Sequence, residues 1–279
     1  RELVQNSIDA VRLQWDNDNV LSNGKIIISW NGEESELIVT DNGTGMTQDV
    51  VEQHLLKVGS SRYQDPNFRK RYPNFNPISR FGIGVLTAFM IADSVEIVTI
   101  SPEENEARQI SLRNVHGKYL IRLLNKNDNS CSYIGSNGTS FKLRLRPSAK
   151  TANVLETVKR WIVFPGCNIE VIINNELPVN IGFLNPKDAL NEYLLTENGK
   201  RLTNGREYKV IEKESNGLHF AYAVSKDDFF KDWALISCNG YRYREEAEEA
   251  PIGTCVEGIA VDFSTPGFKG QTILAIANA

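Results

Sequence analysis

Residues 1–15 have the periodicity of an amphipathic helix. At about 100° per residue, apolar side chains share one broad face, at Leu3, Val4, Ile8 and Val11. The opposite stripe carries Glu2, Asn6 and Asp9, spaced i, i+4 and i+7. Such a stripe is commonly the solvated side of a helix, so taken alone it does not indicate a site.

Beyond this helix, strand-like runs alternate with turns and with a few helical stretches. The predicted strands are 25–30, 36–40, 94–100, 107–113, 118–124, 139–146 and 168–173, and the predicted helices are 50–57, 81–91 and 151–164. Residues 59–79, rich in Ser, Arg, Asn and Pro, show no lasting period and predict a long mobile loop. The pattern favours an α+β domain with a mostly antiparallel sheet.

A second, smaller α+β domain is predicted after residue 180. Its helix is expected over 186–196 and its strands near 208–212, 218–224, 233–238 and 256–263. We assign the first domain to 1–180, a connecting segment to 181–205, and the second domain to 206–279. Because Arg1 falls within a helical pattern and Ala279 within an apolar stretch, we expect both domains to be truncated pieces of a longer protein.

Composition narrows the class of protein. Of the 279 residues 41% are hydrophobic and 24% charged, which is ordinary globular usage and excludes disordered, collagen-like and coiled-coil chains. The net charge of −4, with no run of like charge, favours neither nucleic acid nor an anionic membrane as a partner. The longest apolar run, 85–92, is too short to cross a bilayer and no signal peptide precedes it, so we expect a cytoplasmic protein.

The four cysteines do not form a metal-binding or redox motif. Cys131, Cys167, Cys238 and Cys255 lie far apart, without a CxxC pair or a histidine at ligand spacing. We expect them to be small buried residues.

Asp41-Asn-Gly-Thr-Gly-Met follows a strand and could carry binding chemistry. Glycine admits a positive φ and lets a flat ring approach the backbone, while a carboxylate at a strand end can accept a hydrogen bond from an exocyclic amine. Asp-Asn-Gly is also a strong turn signal, so this stretch taken alone is better explained as a simple tight turn.

Arg80-Phe-Gly-Ile-Gly-Val opens a helix, and Gly138-Thr139 opens a strand. Free amide groups at a helix start suit a phosphate, although a Gly-x-Gly can instead serve close helix packing. Gly138-Thr139 is a weaker signal by itself.

The order and spacing of these four segments together resemble the N box, the two glycine boxes and the final Gly-Thr of the GHKL ATPase superfamily. The run from Phe81 to Asp93 resembles the second glycine box of the 90-kilodalton heat-shock chaperones, including their bacterial HtpG-like form. Leu56-Lys-Val-Gly-Ser-Ser is similar to the start of their lid, but the aromatic-rich stretch 62–77 departs from it. The resemblance covers residues 1 to about 175 and implies a GHKL-type two-layer α/β sandwich.

The resemblance also implies roles on the acidic side of the site. Glu2 would be the general base that activates water, and Asn6 would ligate Mg²⁺ bound to ATP. Asp41 would accept from the adenine amine with support from Thr139 through water, and Asp9 would have a supporting role. The adenine ring would be flanked by Gly43, Gly45 and Met46.

On the phosphate side, the resemblance implies backbone contacts from Gly82 and Gly84, and Lys57 as a point charge. A solvated Lys57 is an equally good interpretation. Family members add an arginine from the second domain, for which no motif stands out; the candidates are Arg201, Arg206, Arg242 and Arg244. The histidines, His54, His116 and His219, fit no motif and are expected to face solvent or to be satisfied in the core.

The implied function is a chaperone-like ATPase that binds adenine nucleotide, hydrolyses ATP slowly, and couples turnover to lid closure, homodimerisation and a client protein. An ATP-gated scaffold or signalling switch without a client remains the alternative. A DNA-handling relative is disfavoured by the second glycine box and the acidic charge balance, and a histidine kinase by the domain that follows.

Overall fold

The computed structural model describes residues 1–15, 20–57, 59–79, 84–113, 119–149, 153–227, 229, 231–236, 253–261, 267–268, 271–272 and 274–279. They form two compact units. The first comprises Arg1–Leu155 and Cys167–Ile181, and the second comprises Glu156–Gly166 and Gly182–Ala279.

The first unit is built on an eight-stranded sheet with the order β5-β4-β3-β6-β2-β1-β7-β8. The strands are β1 (Lys25–Asn31), β2 (Glu36–Asp41), β3 (Ala92–Ile100), β4 (Glu106–Leu112), β5 (Leu120–Asn125), β6 (Gly138–Leu145), β7 (Asn168–Ile173) and β8 (Val179–Ile181). All neighbouring pairs are antiparallel except β1 with β7. This confirms the predicted α+β class with a mostly antiparallel sheet.

Helix α1 (Glu2–Gln14) confirms the first predicted helix and contacts strands β1, β2 and β6. Its apolar residues Val4, Ile8 and Val11 are buried because they face the sheet. Asp9, on the opposite stripe, is fully buried as well, so this stripe is not a solvated face. The polar stripe of α1 is therefore covered by protein at Asp9 and partly covered at Glu2 and Asn6.

The remaining regular elements of the first unit are mostly short. They are α2 (Val20–Asn23), α3 (Gln48–Val50) with a π-helical turn (Val51–Leu55), a 3-10 turn (Arg62–Gln64), α4 (Pro66–Arg71), α5 (Gly84–Ile91), a 3-10 turn (Asn129–Cys131) and α6 (Val154–Trp161), which continues into the second unit. Ala88 and Phe89 of α5 pack with Ile97 and Leu143 of the sheet in one buried cluster.

The segment 59–79, predicted as a long mobile loop, contains the 3-10 turn Arg62–Gln64 and helix α4 and is otherwise without regular structure. Asp65 caps α4 by accepting hydrogen bonds from the backbone of Asn67 (2.8 Å) and Phe68 (3.2 Å), and Pro66 occupies the first turn. Short helices this rich in Pro and Arg show no lasting apolar period, which is why the pattern did not reveal them.

The second unit carries helices α7 (Pro186–Leu195) and α8 (Glu197–Thr203) and strands β9 (Tyr208–Ser215), β10 (Leu218–Lys226), β11 (Trp233–Leu235), β12 (Thr254–Val256), β13 (Ile259–Ala260), β14 (Gly267–Phe268), β15 (Gln271–Thr272) and β16 (Ala275–Asn278). Strands pair in the order β11-β10-β16-β12-β13, with β9 also along β10.

The stretch 181–205 was expected to be a connecting segment, but from Gly182 onward it belongs to the second unit, where it forms α7 and α8. Leu190 and Leu194 of α7 are buried against Ala221, Ala223 and other strand residues in one core, so this stretch is part of the fold. The strand expected over 256–263 is divided between β12 and β13 by a turn at Glu257 and Gly258, both with positive φ.

Within the described residues, no helix is long and apolar enough to cross a membrane. Cys131, Cys167 and Cys255 are free and buried, as predicted, and burial raises the thiol pKa of Cys167 and Cys255 to about 12. Cys238 lies outside the described residues.

Candidate functional site

The first unit contains a cavity between α1, the ends of the central strands and the segment that follows the π-helical turn. Helix α1 contributes polar side chains to one wall, Glu2, Asn6 and Ser7. The strand ends and the glycine loop contribute a second group of lining residues: Asp41, Thr44, Gly45, Met46 and Thr139. The sequence motifs of the N box, the first glycine box and the final Gly-Thr therefore converge on one cavity.

Asp41, at the end of β2, is 3% exposed and is the most constrained acid of this cavity. Its Oδ2 accepts a hydrogen bond from the Ser7 hydroxyl at 2.8 Å, and its Oδ1 accepts one from the Gly43 amide at 3.0 Å. Burial raises the pKa of Asp41 to about 6, although the hydrogen bonds from Gly43, Ser7 and Thr139 oppose this rise. A carboxylate has about four acceptor positions, so Asp41 keeps acceptor capacity for a ligand donor.

Thr139 is placed beside Asp41 by strand register, because it is the residue of β6 that pairs with Asp41 of β2 and with Thr99 of β3. The hydroxyls of Thr99 and Thr139 are 3.0 Å apart. Thr99 Oγ1 also accepts from the Met46 amide at 2.8 Å and donates to the Gly138 carbonyl at 3.2 Å. Thr99 thus fixes both Thr139 and the glycine loop, a role that a lone threonine in a strand pattern does not reveal.

The two glycines of the first box serve different purposes. A Cβ at Gly43 would lie 2.6 Å from Ala10, so Gly43 permits the loop to touch α1, where Thr44 donates from its amide to the Ala10 carbonyl at 3.2 Å. Gly45 has φ +61°, and its Cβ would lie 1.9 Å from the Ile100 carbonyl oxygen. Gly45 and Met46 line the cavity, as expected of a wall for the base, whereas Gly43 acts through packing and through its bond to Asp41.

Two asparagines hold the glycine loop from outside the cavity. Asn137 donates from Nδ2 to the carbonyls of Gly43 (2.6 Å) and Asn42 (3.1 Å). The Asn42 side chain accepts from the Lys25 amide at 2.7 Å and donates to the Asn23 carbonyl at 2.7 Å. Sequence reasoning missed Asn137, which precedes the Gly-Thr pair by one residue.

Glu2 and Asn6 are half-buried and line the cavity from successive turns of α1. Asp9, on the next turn, points to a different partner. Its two carboxylate oxygens accept from the backbone amides of Ile78 (2.9 Å) and Ser79 (2.7 Å), and burial raises its pKa to about 6. The supporting role expected for Asp9 therefore takes the form of a clamp on the chain just before the second glycine box.

Residues 59–79, which we call the cover segment, form the remaining wall. Ser60, Ser61, Arg62, Tyr63 and Ser79 line the cavity. Near its start the segment is tied to the π-helical turn by a 2.9 Å hydrogen bond between His54 Nδ1 and Ser60 Oγ. At its end it is held by Asp9.

Aromatic rings stiffen the middle of the cover segment. The Tyr63 ring lies 5.3 Å from that of Phe68 and 5.7 Å from that of Phe75, and Phe68 lies 4.9 Å from Tyr72. Burial, with the nearby carboxylates of Asp9 and Asp41, raises the pKa of Tyr63 well above its ordinary value, so its phenol stays a neutral donor.

Other predicted site residues are less directly involved or lie outside the described part of the chain. Lys57 is exposed and does not line the cavity. Gly84 begins α5, while Gly82 lies outside the described residues, as do His116, Arg242 and Arg244. His54 lines the cavity although no motif indicated it, and His219 lies on β10, with its Nε2 3.5 Å from Glu212 Oε1.

Comparison with known proteins shows which family the first part of the chain resembles. Residues 1–136 match the model of the histidine kinase-, DNA gyrase B- and HSP90-like ATPase family. The matched part is just under half of the chain, and over these residues the chain is similar to that family. The resemblance to the GHKL superfamily and its heat-shock chaperone branch is thereby confirmed.

Individual relatives agree with this assignment. The chaperone protein HtpG of Ruthia magnifica is 32% identical over 136 residues, 45% of this chain and 22% of the relative. HtpG of Oceanobacillus iheyensis is 36% identical over 121 residues, 38% of this chain and 18% of the relative. An endoplasmin homolog of Leishmania donovani is 26% identical over 259 residues, 86% of this chain and 31% of the relative. The chain thus spans less than a third of the length of these relatives.

Proposed function

We propose that the first unit binds ATP with its adenine base against Asp41. The observation that carries this proposal is the buried carboxylate, held by Ser7 and Gly43 at the cavity wall and left with acceptor positions for an exocyclic amine. Gly45 and Met46 would flank the ring, and Thr139, fixed by Thr99, would support the same contact. A site built around an acceptor favours adenine over guanine at this position, because guanine presents a carbonyl oxygen there.

The residues of the cavity also fit a magnesium ion that arrives with the phosphates. Magnesium prefers oxygen ligands, keeps several waters, and is commonly held by one or two protein groups plus substrate phosphates. The described residues contain no group of three or more His, Cys, Asp or Glu side chains that could hold a metal by themselves. Asn6 would be the protein ligand, through its amide oxygen, and the bound ion would neutralise charge on the phosphates.

Glu2 is the residue that we assign to water activation. It lies one helical turn before Asn6 and lines the same cavity, so a carboxylate and a metal ligand would face the same phosphate end. Glu2 would accept the proton of the attacking water, which is general-base catalysis. We expect slow hydrolysis to ADP and phosphate, because no arginine motif was found in the second domain to stabilise the transition-state charge.

The relatives named chaperone protein HtpG support a chaperone-like role. We propose that nucleotide binding in the first unit drives closure of the cover segment and homodimerisation. We also propose that a client protein responds to this closure. Because the chain spans less than a third of those relatives, these steps belong to the whole protein.

A direct test is calorimetric titration with ATP and Mg²⁺ together with phosphate release, on the wild type, Asp41→Asn and Glu2→Ala. The proposal expects binding by the wild type and by Glu2→Ala, turnover by the wild type alone, and weakened binding by Asp41→Asn. Binding without turnover in the wild type would favour an ATP-gated switch, and no binding at all would refute the proposal.

A further inference from the structure

The described lining of the cavity has few positive charges for a ligand that carries phosphates. Among the described lining residues, Glu2 and Asp41 are acidic and Arg62 is the only one with a permanent positive charge. Burial lowers the pKa of His54, so this residue is neutral near pH 7. Lys57, the cation expected from the sequence, is exposed and does not line the cavity.

The guanidinium group of Arg62 lies near an aromatic ring, an arrangement that leaves its N–H donors available. Its guanidinium carbon lies 5.4 Å from the centroid of the Phe68 ring, a cation–π arrangement that orients the side chain. The residue is half-buried, and no carboxylate in the described part of the chain forms a salt bridge with it. A guanidinium offers five donors in a planar fork that matches phosphate oxygens.

The backbone of Arg62 belongs to a short helical turn. Arg62 opens the 3-10 turn Arg62–Gln64, next to Tyr63, whose ring packs on Phe68 and Phe75. The turn therefore places both Arg62 and Tyr63 in the lining of the cavity.

We propose that Arg62 binds the phosphate groups of the nucleotide and so makes the cover segment part of the phosphate site. This inference rests on the proposed function and deepens it, because it names a specificity-determining residue that favours a polyphosphate over a nucleoside. The phosphate-binding arginine would then lie in the first unit and not in the second. Because phosphates would attract Arg62, their binding would tighten the cover segment, whereas a nucleoside would leave it unaffected.

The test compares ATP with adenosine on the same protein. Arg62→Met removes the charge but keeps an unbranched apolar side chain, and Arg62→Lys keeps the charge without the fork. Lys70→Met is the matched control, because Lys70 is exposed on α4 of the same segment and does not line the cavity. Affinities for both ligands would be measured by calorimetry.

We expect Arg62→Met to lose about 10-fold to 100-fold in ATP affinity. Loss of hydrogen bonds between charged groups lowers an affinity by about this factor. Its adenosine affinity should stay within about twofold of the wild type. Arg62→Lys should restore part of the ATP affinity, and Lys70→Met should change neither ligand.

Two results would overturn the inference while leaving the proposed function intact. One is unchanged ATP affinity in Arg62→Met, and the other is an equal loss for ATP and adenosine, which indicates that Arg62 only supports the fold. If Arg62→Met is less stable, the ratio of the two affinities still decides, because both are measured on one variant. A wild type that binds neither ligand would refute the proposed function and this inference with it.

Discussion

Replacing Asp41 by asparagine should separate ligand binding from fold stability. The substitution keeps size and shape but leaves one oxygen and one NH₂ group. The Gly43 amide can only donate, so the asparagine oxygen must stay with it, and the NH₂ group replaces Oδ2 beside Ser7. The Ser7 hydroxyl can turn and accept, which preserves the fold, whereas the adenine amine would meet a donor.

The magnitudes follow from these contacts. Loss of a hydrogen bond to a charged acceptor and creation of an unpaired donor cost about 1–3 kcal/mol, so adenosine affinity should fall about 10-fold to 100-fold. The free energy of unfolding should not fall together with the adenosine affinity. Burial raises the pKa of Asp41 to about 6 in the folded state, and an ionised Asp41 therefore costs about 3 kcal/mol that asparagine avoids.

The sign of the pH dependence follows from the same shift. Because the folded state binds the Asp41 proton more tightly than the unfolded chain, the stability due to the protonated carboxyl is fully present below about pH 4. It is lost as the pH rises through about 6. The stability of the wild type relative to Asp41→Asn should fall by about 1.4 kcal/mol between pH 5 and pH 8.

The assay combines urea unfolding of both proteins at these two pH values with calorimetric titration by adenosine, which has no phosphate to titrate. Parental adenosine affinity in Asp41→Asn would place the base elsewhere. If Asp41→Asn loses adenosine affinity and is also much less stable than the wild type at pH 8, Asp41 is a structural residue. The reasoning above would then be wrong.

Three further substitutions test other parts of the site. Glu2→Ala should keep ATP affinity and lower phosphate release about 10²-fold to 10⁴-fold, and equal release would remove Glu2 from the role of base. Asp9→Asn can accept only one of the two amides of Ile78 and Ser79, so hydrogen exchange should become faster at one of them; unchanged protection at both would contradict the clamp. Gly45→Ala should destabilise the fold by about 1–3 kcal/mol in urea unfolding because its Cβ would meet the Ile100 carbonyl. Gly59→Ala, also at positive φ but with open space around it, is the control, and an equal effect would exclude the steric cause.

Much of the first unit could be predicted from the sequence because its elements have strong local signals. The alternating strands of the sheet and the amphipathic α1 show their periods directly, and register then brings Asp41 and Thr139 together. The motifs located Glu2, Asn6, Gly45 and Met46 on the cavity wall.

Residues whose role depends on a distant partner could not be predicted. Thr99 contacts Thr139 because of strand register, and Arg62 lines the cavity in a segment whose aromatic rings pack on one another. Neither contact can be predicted from the spacing of residues within one segment. The buried position of α7 was missed for the same reason, since its partners Ala221 and Ala223 lie on a strand far along the chain.

The central claim, that adenine lies in the cavity beside Asp41, can be tested with the methionine methyl groups. The chain has two methionines, Met46 on the cavity wall and Met90, which is 76% exposed on α5. In a methyl-labelled sample titrated with adenosine, we predict shifts and nuclear Overhauser contacts to adenine protons at Met46, with Met90 unchanged. Saturable binding that leaves Met46 unperturbed would contradict the claim.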